Sequence, residues 1–134
     1  MPGSNWSDLR ALYDAAEVVV QGRDGIWLSA ESAARQRSLP AGVITAWNPG
    51  RARPGAAANR EANDRLATRL ALREWEVWPS DGRSPDGAFH EPGFCVWQPD
   101  VAALRALGRD FSQLAIYTID PDGTRWTLAC DDEV

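Results

Sequence analysis

A chain of 134 residues, 44% hydrophobic and 25% charged, has the composition of a soluble globular domain, long enough for one proper core and too short for two. Its net charge of −5, with all 14 basic residues arginine, argues against nucleic acid as a partner, because phosphate binding draws on a surplus of Lys and Arg. No apolar run approaches the ~20 residues of a membrane helix. The first residues carry no basic-then-apolar leader, and Cys95 and Cys130 have neither disulfide-framework nor metal-site spacing.

One domain is therefore expected over residues 1–134, with a core at about 7–130 and frayed ends at Met1–Asn5 and Asp131–Val134. It is expected to be reduced and cytoplasmic, with no membrane, metal or cofactor. Ser7-Asp8 before Leu9, Leu12 and Tyr13 reads as a short capped helix. Ala16–Val20 and Ile26–Leu28 read as strands about a Gly22–Gly25 turn, and Ser29–Pro40 as a polar, Ala-rich stretch with a helical turn. The β-branched and aromatic run Val43, Ile44, Thr45, Trp47 predicts a strand ending at Trp47, before Asn48-Pro49-Gly50. A helix follows, with Ala62, Leu66 and Leu70 at every fourth residue and Asn59 and Asn63 one turn apart near its start. Trp75–Trp78 predicts a strand stopped by Pro79, and Ser80–His90 a long loop rich in turn formers. Phe94–Trp97 is apolar on both parities, as in a sheet interior. Asp100 caps a helix bearing Val101, Leu104, Leu107 and Phe111. Leu114–Ile119 and Thr124–Ala129 flank the hairpin signal Asp120-Pro121-Asp122-Gly123.

The fold class is thus α/β (α+β): a single domain with a mixed, mostly antiparallel sheet and about three helices. A strand–helix–strand crossover keeps direction and a direct loop reverses it. The Val43 and Trp75 strands should run together, and the Phe94 and Leu114 strands against them. The end of the first and the starts of the last two then share one sheet edge. That edge carries Asn48, Glu91 and Gln113, near the start of the Asn59 helix and below the Ser80–His90 loop.

Each polar residue has a structural and a functional reading. Asn48 is an Asx-turn or a ligand contact; Asn59 is a helix N-cap or a pocket amide. Asn63, a poor helix former inside a helix, ties back to the Asn48 loop or contacts ligand. Glu91, fixed by Pro92, accepts backbone N–H groups or serves as general acid or base. Gln113 braces the loops or recognises a ligand. Trp47 packs in the core or stacks on a ring at the pocket, while Trp27, Trp75, Trp97 and Trp126 suit sheet packing. His90, the sole histidine, reads as an exposed loop residue, and Cys95 as an inert core thiol. Arg51 and Arg53 read as solvated arginines or phosphate contacts, and Asp120-Pro121-Asp122 as a turn rather than a metal site.

The same residues carry a resemblance. I-T-A-W-N-P at 44–49, N-R-E-A-N-D-R-L at 59–66, E-P-G-F-C-V at 91–96 and D-F-S-Q-L-A-I at 110–116 resemble a small bacterial domain-of-unknown-function family (number thirty-two ninety-three) over roughly residues 9–120. The family usually reads F-G-Q where this chain has Phe111-Ser112-Gln113. The resemblance implies the family's fold and no catalytic assignment. Together these readings describe an uncharacterised bacterial domain with a polar pocket for a small ligand, nucleotide-like in its sharpest form, at one sheet edge. Its binding residues would be Asn48, Asn59, Asn63, Glu91, Gln113 and Trp47. The alternatives are a small hydrolase with Glu91 as general base, and a non-catalytic, immunity- or antitoxin-like module that meets a protein partner through its acidic surface.

Overall fold

The computed structural model describes residues 6–50 and 52–131. The expectations for Met1–Asn5, Arg51 and Asp132–Val134 lie outside the described residues. Among those described, the chain forms α1 (Trp6–Ala15), β1 (Glu17–Gln21), β2 (Trp27–Ser29), α2 (Ala30–Arg37), β3 (Ala41–Ile44), α3 (Ala56–Leu72), β4 (Glu76–Arg83), β5 (His90–Trp97), α4 (Val101–Asp110), β6 (Ala115–Ile119) and β7 (Arg125–Ala129). The strands make one sheet in the order β2-β1-β4-β5-β3-β6-β7.

The strand directions are those expected: β5 runs antiparallel to both β3 and β4, and β6 antiparallel to β3. The expected mixed character is corrected, because every pairing is antiparallel. The connection through α3 skips one place in the sheet, which β5 fills, and the connection through α4 passes over β3. Two interleaved crossovers thus separate like-directed strands by an opposed one. Helices number four among the described residues, because Ser29–Pro40 holds two full turns rather than one. Ser29 caps α2 by accepting the Ser32 N–H at 3.0 Å, and Ser38 ends it in the left-handed region at φ 54°.

Two strand boundaries also move. β3 stops at Ile44, not Trp47, because side chains take the next N–H groups: Ala46 donates to Asn63 Oδ1 (2.8 Å), Trp47 to Thr45 Oγ1 (3.0 Å) and Asn48 to Asn59 Oδ1 (2.8 Å). In the other direction, β4 runs on through Pro79. The ladder to β1 ends at the Val20–Ser80 pair, so the missing proline N–H breaks no bond on that side. The expected long loop shrinks to a turn at Ser84–Phe89, closed by Asp86 accepting from Ser84 Oγ (2.7 Å) and the Ala88 N–H (3.0 Å).

The sheet is covered on both faces. On one, α3 and α4 bury Leu66, Leu70, Leu104 and Leu107 against Ile44, Val96 and Ile116. Gly42 lets α4 sit close, since a Cβ there would run into Leu104, and Gly108 does the same against Cys130. On the opposite face, α2 packs Ala30, Ala33 and Ala34 over Val20, Trp97 and Ile119. The tryptophans divide. Trp97 is buried and Trp75 packs partly buried, but Trp27 and Trp126 are exposed, because the sheet's outer strands β2 and β7 carry them.

Candidate functional site

The buried stripe of α3 is Asn59, Asn63, Leu66 and Leu70, so two amides continue the line of two leucines. Asn59 is not the N-cap, as Gly55 holds that position at φ 97° and accepts the Asn59 N–H. Inside the helix, each buried asparagine accepts a backbone N–H from the loop after β3. Asn63 Oδ1 accepts the Ala46 N–H, and its Nδ2 donates to the Pro92 carbonyl at 2.8 Å, which ties β3 to β5. This is the tie to the Asn48 loop that a helical asparagine suggested, and it uses both ends of the amide.

Asn59 sets an orientation rather than a bridge. Its Oδ1 is held by the Asn48 N–H, so its Nδ2 faces Asn48 Oδ1 at 2.9 Å. That contact leaves the Asn48 Nδ2 as the donor to the Glu91 carboxylate, the side-chain hydrogen bond that Asn48 makes to Glu91. Asn48 holds φ 48°, a left-handed conformation that asparagine tolerates. Gln113 completes the edge, with Nε2 pointing at the Trp47 and Phe111 carbonyls at 3.4 and 3.5 Å.

Glu91, Asn48 and Gln113 face a cavity of about 420 Å³. It lies on the α2 face of the sheet, at the end α2 does not reach, between the strands and α1. Val18, Val43, Ala115 and Tyr117 form its floor, Leu9 and Leu12 its roof, and Phe89 part of its rim. The wall is therefore largely apolar, whereas a polar pocket was expected. α1 has no buried residue, and Leu12 and Phe89 are each 71% exposed although both line the cavity. Polar contacts hold α1 in place: Tyr117 donates its hydroxyl to the Tyr13 carbonyl at 2.7 Å, and Arg125 donates to the Asp14 and Ala16 carbonyls.

Burial raises the Glu91 carboxyl above its ordinary range; the Asn48 hydrogen bond and the Arg53 charge oppose this without cancelling it. Tyr117 is likewise raised, by burial first, so its phenol stays neutral. Of the six expected binding residues, three line the cavity. Asn59 and Asn63 stand behind them as braces, and Trp47 is not among the lining residues, contributing backbone groups instead. His90 turns to Asp81 at 3.0 Å, and burial pushes the Cys95 thiol up to about 12, which disfavours its thiolate. Asp120 accepts from the Trp126 indole and Asp122 from the Thr124 N–H, so both acids serve the β6–β7 turn. No group of three or more candidate metal ligands occurs among the described residues.

Sequence reasoning missed the roof and floor, Leu9, Leu12, Val18 and Tyr117. The apolar spacing of α1 was a signal, but periodicity does not say what a helix covers. The fold and edge define a small α+β domain with an antiparallel sheet and a cavity of mixed character. The chain belongs to the family described as "Protein of unknown function (DUF3293)", which matches residues 44–116. That stretch runs from the end of β3 to the start of β6 and includes Asn48, Asn59, Asn63, Glu91 and Gln113; α1, β1 and α2 lie outside it. No curated protein and no solved structure matches the chain. No helix among the described residues is long and apolar enough to cross a membrane.

Proposed function

We propose that the domain binds a small amphipathic molecule in the cavity beneath α1, its apolar body against Val18, Val43 and Leu9 and its polar end at Glu91, Asn48 and Gln113. One observation carries the reading: a partly buried carboxylate, with Asn48 beside it, stands at the end of a largely apolar cavity of about 420 Å³, within the size range of small-molecule sites. The nucleotide-like form of the ligand loses ground, because a phosphate would meet a carboxylate at the polar end. Asn59 and Asn63 act in this reading by holding Asn48 and the β3–β5 junction in place.

Hydrolysis with Glu91 as general base is a catalytic form of the same reading. It draws on the raised carboxyl, which brings its titration toward the range where proton transfer is efficient. The interaction-module reading has less support, since the exposed large apolar side chains are spread over α1, the turn before β2, β2, α3, the β4–β5 turn, α4 and β7.

Native mass spectrometry of the freshly purified protein, paired with titration of the neutral dye Nile red, tests the proposal. A retained organic mass or saturable dye binding is expected in the wild type, and its loss in Ala115→Leu, which fills the cavity floor. Binding that is unchanged in Ala115→Leu, or absent from the wild type by both measurements, would overturn it.

A further inference from the structure

The orientation of the amides says more about the ligand's polar end. Gln113 directs Nε2 at two carbonyls, of Trp47 and Phe111, which leaves Oε1 turned away from them. No donor among the described residues reaches that oxygen, and Gln113 is a buried side chain that lines the cavity. Glu91, also in the wall, accepts from Asn48 alone among the described side chains that hydrogen-bond to it. The inner polar end therefore presents two acceptor groups in need of donors, an amide oxygen and a carboxylate. Both face the cavity, where a bound donor would satisfy them.

Among the described residues, no charged group donates a hydrogen bond to Gln113 Oε1. Arg53, exposed at the cavity's edge, turns Nη1 back onto the Ala52 carbonyl at 2.8 Å. Arg83, which also lines the cavity, is held by Asp81 at 2.9 Å. Tyr117 spends its hydroxyl proton on the Tyr13 carbonyl, and the chain has no lysine.

We infer that the cavity takes an amphipathic amine, with its ammonium group between the Glu91 carboxylate and Gln113 Oε1 and its apolar body along the floor of the sheet. This deepens the small-ligand reading above and rests on it. An ammonium carries several donors and one positive charge, so it satisfies both acceptors and holds Glu91 ionised where burial works against the charge. A carboxylate ligand would face two acceptors, and an alcohol would satisfy one of them without charge.

Calorimetric titration with octylamine, 1-octanol and octanoate at neutral pH tests this, because the three share an apolar tail and differ at the head. Octylamine is expected to bind at least about tenfold tighter than 1-octanol, with octanoate weakest. Glu91→Gln should abolish the amine's advantage over 1-octanol. Glu91→Asp, which keeps the charge but withdraws it, should retain part of it, and serves if Glu91→Gln does not fold. Binding of 1-octanol or octanoate equal to or tighter than that of octylamine would overturn the amine inference while the cavity reading stood. Wild-type protein that binds none of the three would overturn both, whereas an amine advantage that survives in Glu91→Gln would overturn the amine inference alone.

Discussion

The two ends of one sheet face each carry a carboxylate, and the two meet opposite conditions. At the end under α2, Glu76 accepts from Arg37 (3.0 Å), Arg23 (2.8 Å) and the Trp78 indole (3.1 Å). Arg37 in turn lies over the Trp97 ring, 4.5 Å from its centre. Burial opposes ionisation of Glu76, but the Arg37 and Trp78 hydrogen bonds and the two arginine charges outweigh it and lower the carboxyl. At the end under α1, Glu91 has Asn48 and the exposed Arg53, and burial wins. The helices differ in step. Three buried alanines let α2 press onto the strands, whereas α1 fully buries no residue and leaves a cavity. A carboxylate saturated by its own chain serves the fold; one left with open acceptor capacity beside a cavity is available to something else.

The sharpest way to break this contrast is to add the same bulk at both ends. Ala34→Leu, at a fully buried position beneath α2, should destabilise by about 1–3 kcal/mol through overpacking. Ala115→Leu, on the cavity floor, should shift stability by no more than about 0.5 kcal/mol in either direction. Equal costs in urea unfolding would mean that the two ends are equally packed.

The opposite face offers a comparison of similar size. Asn63→Ala removes the acceptor of the Ala46 N–H and the donor to the Pro92 carbonyl. A loss of about 1–3 kcal/mol is expected, since buried partners are left unpaired. Stability that barely moves, with ligand affinity falling instead, would transfer Asn63 from brace to binding residue.

The smallest effect is in pH and has opposite signs at the two carboxylates. Glu76 is lowered in the folded state, so its stabilisation is present above its ordinary value of 4.5 and fades as pH falls through its folded value. Glu91 is raised, so its folded state binds the proton more tightly than the unfolded state does. The stability it confers is full below 4.5 and is lost as pH rises through the folded value. Wild type minus Glu76→Gln should therefore grow from acid toward neutral pH, and wild type minus Glu91→Gln should shrink. Denaturant midpoints across that window check both, and parallel trends would show that the two carboxylates share one environment.

Much of the fold was legible because local chemistry and connection rules agree. The Asp100 cap, whose Oδ1 accepts the Ala103 N–H, and the Asp120–Gly123 turn depend on neighbours a few residues away. Relative strand directions followed from loop against crossover, and those directions alone brought Asn48, Glu91 and Gln113 to one edge. The errors arose where a distant partner decided the outcome. β3 ended early because Asn59 and Asn63, more than ten residues on, captured its next N–H groups. β4 outlasted Pro79 because the strand on one side had already ended.

The sequence by itself determined most element types, the Asp100 cap and the Asp120–Gly123 turn, the relative sense of the four central strands and the family, since short-range propensity and chain connectivity carry these. Only the tertiary structure decided which amides face a cavity and which face a loop. It also decided that α1 lies over the sheet without fully burying a residue, and that Glu91 rather than Glu76 is left with open acceptor capacity. Those outcomes depend on how segments far apart in the chain divide a limited set of donors and acceptors, and no pattern in one segment records what another supplies.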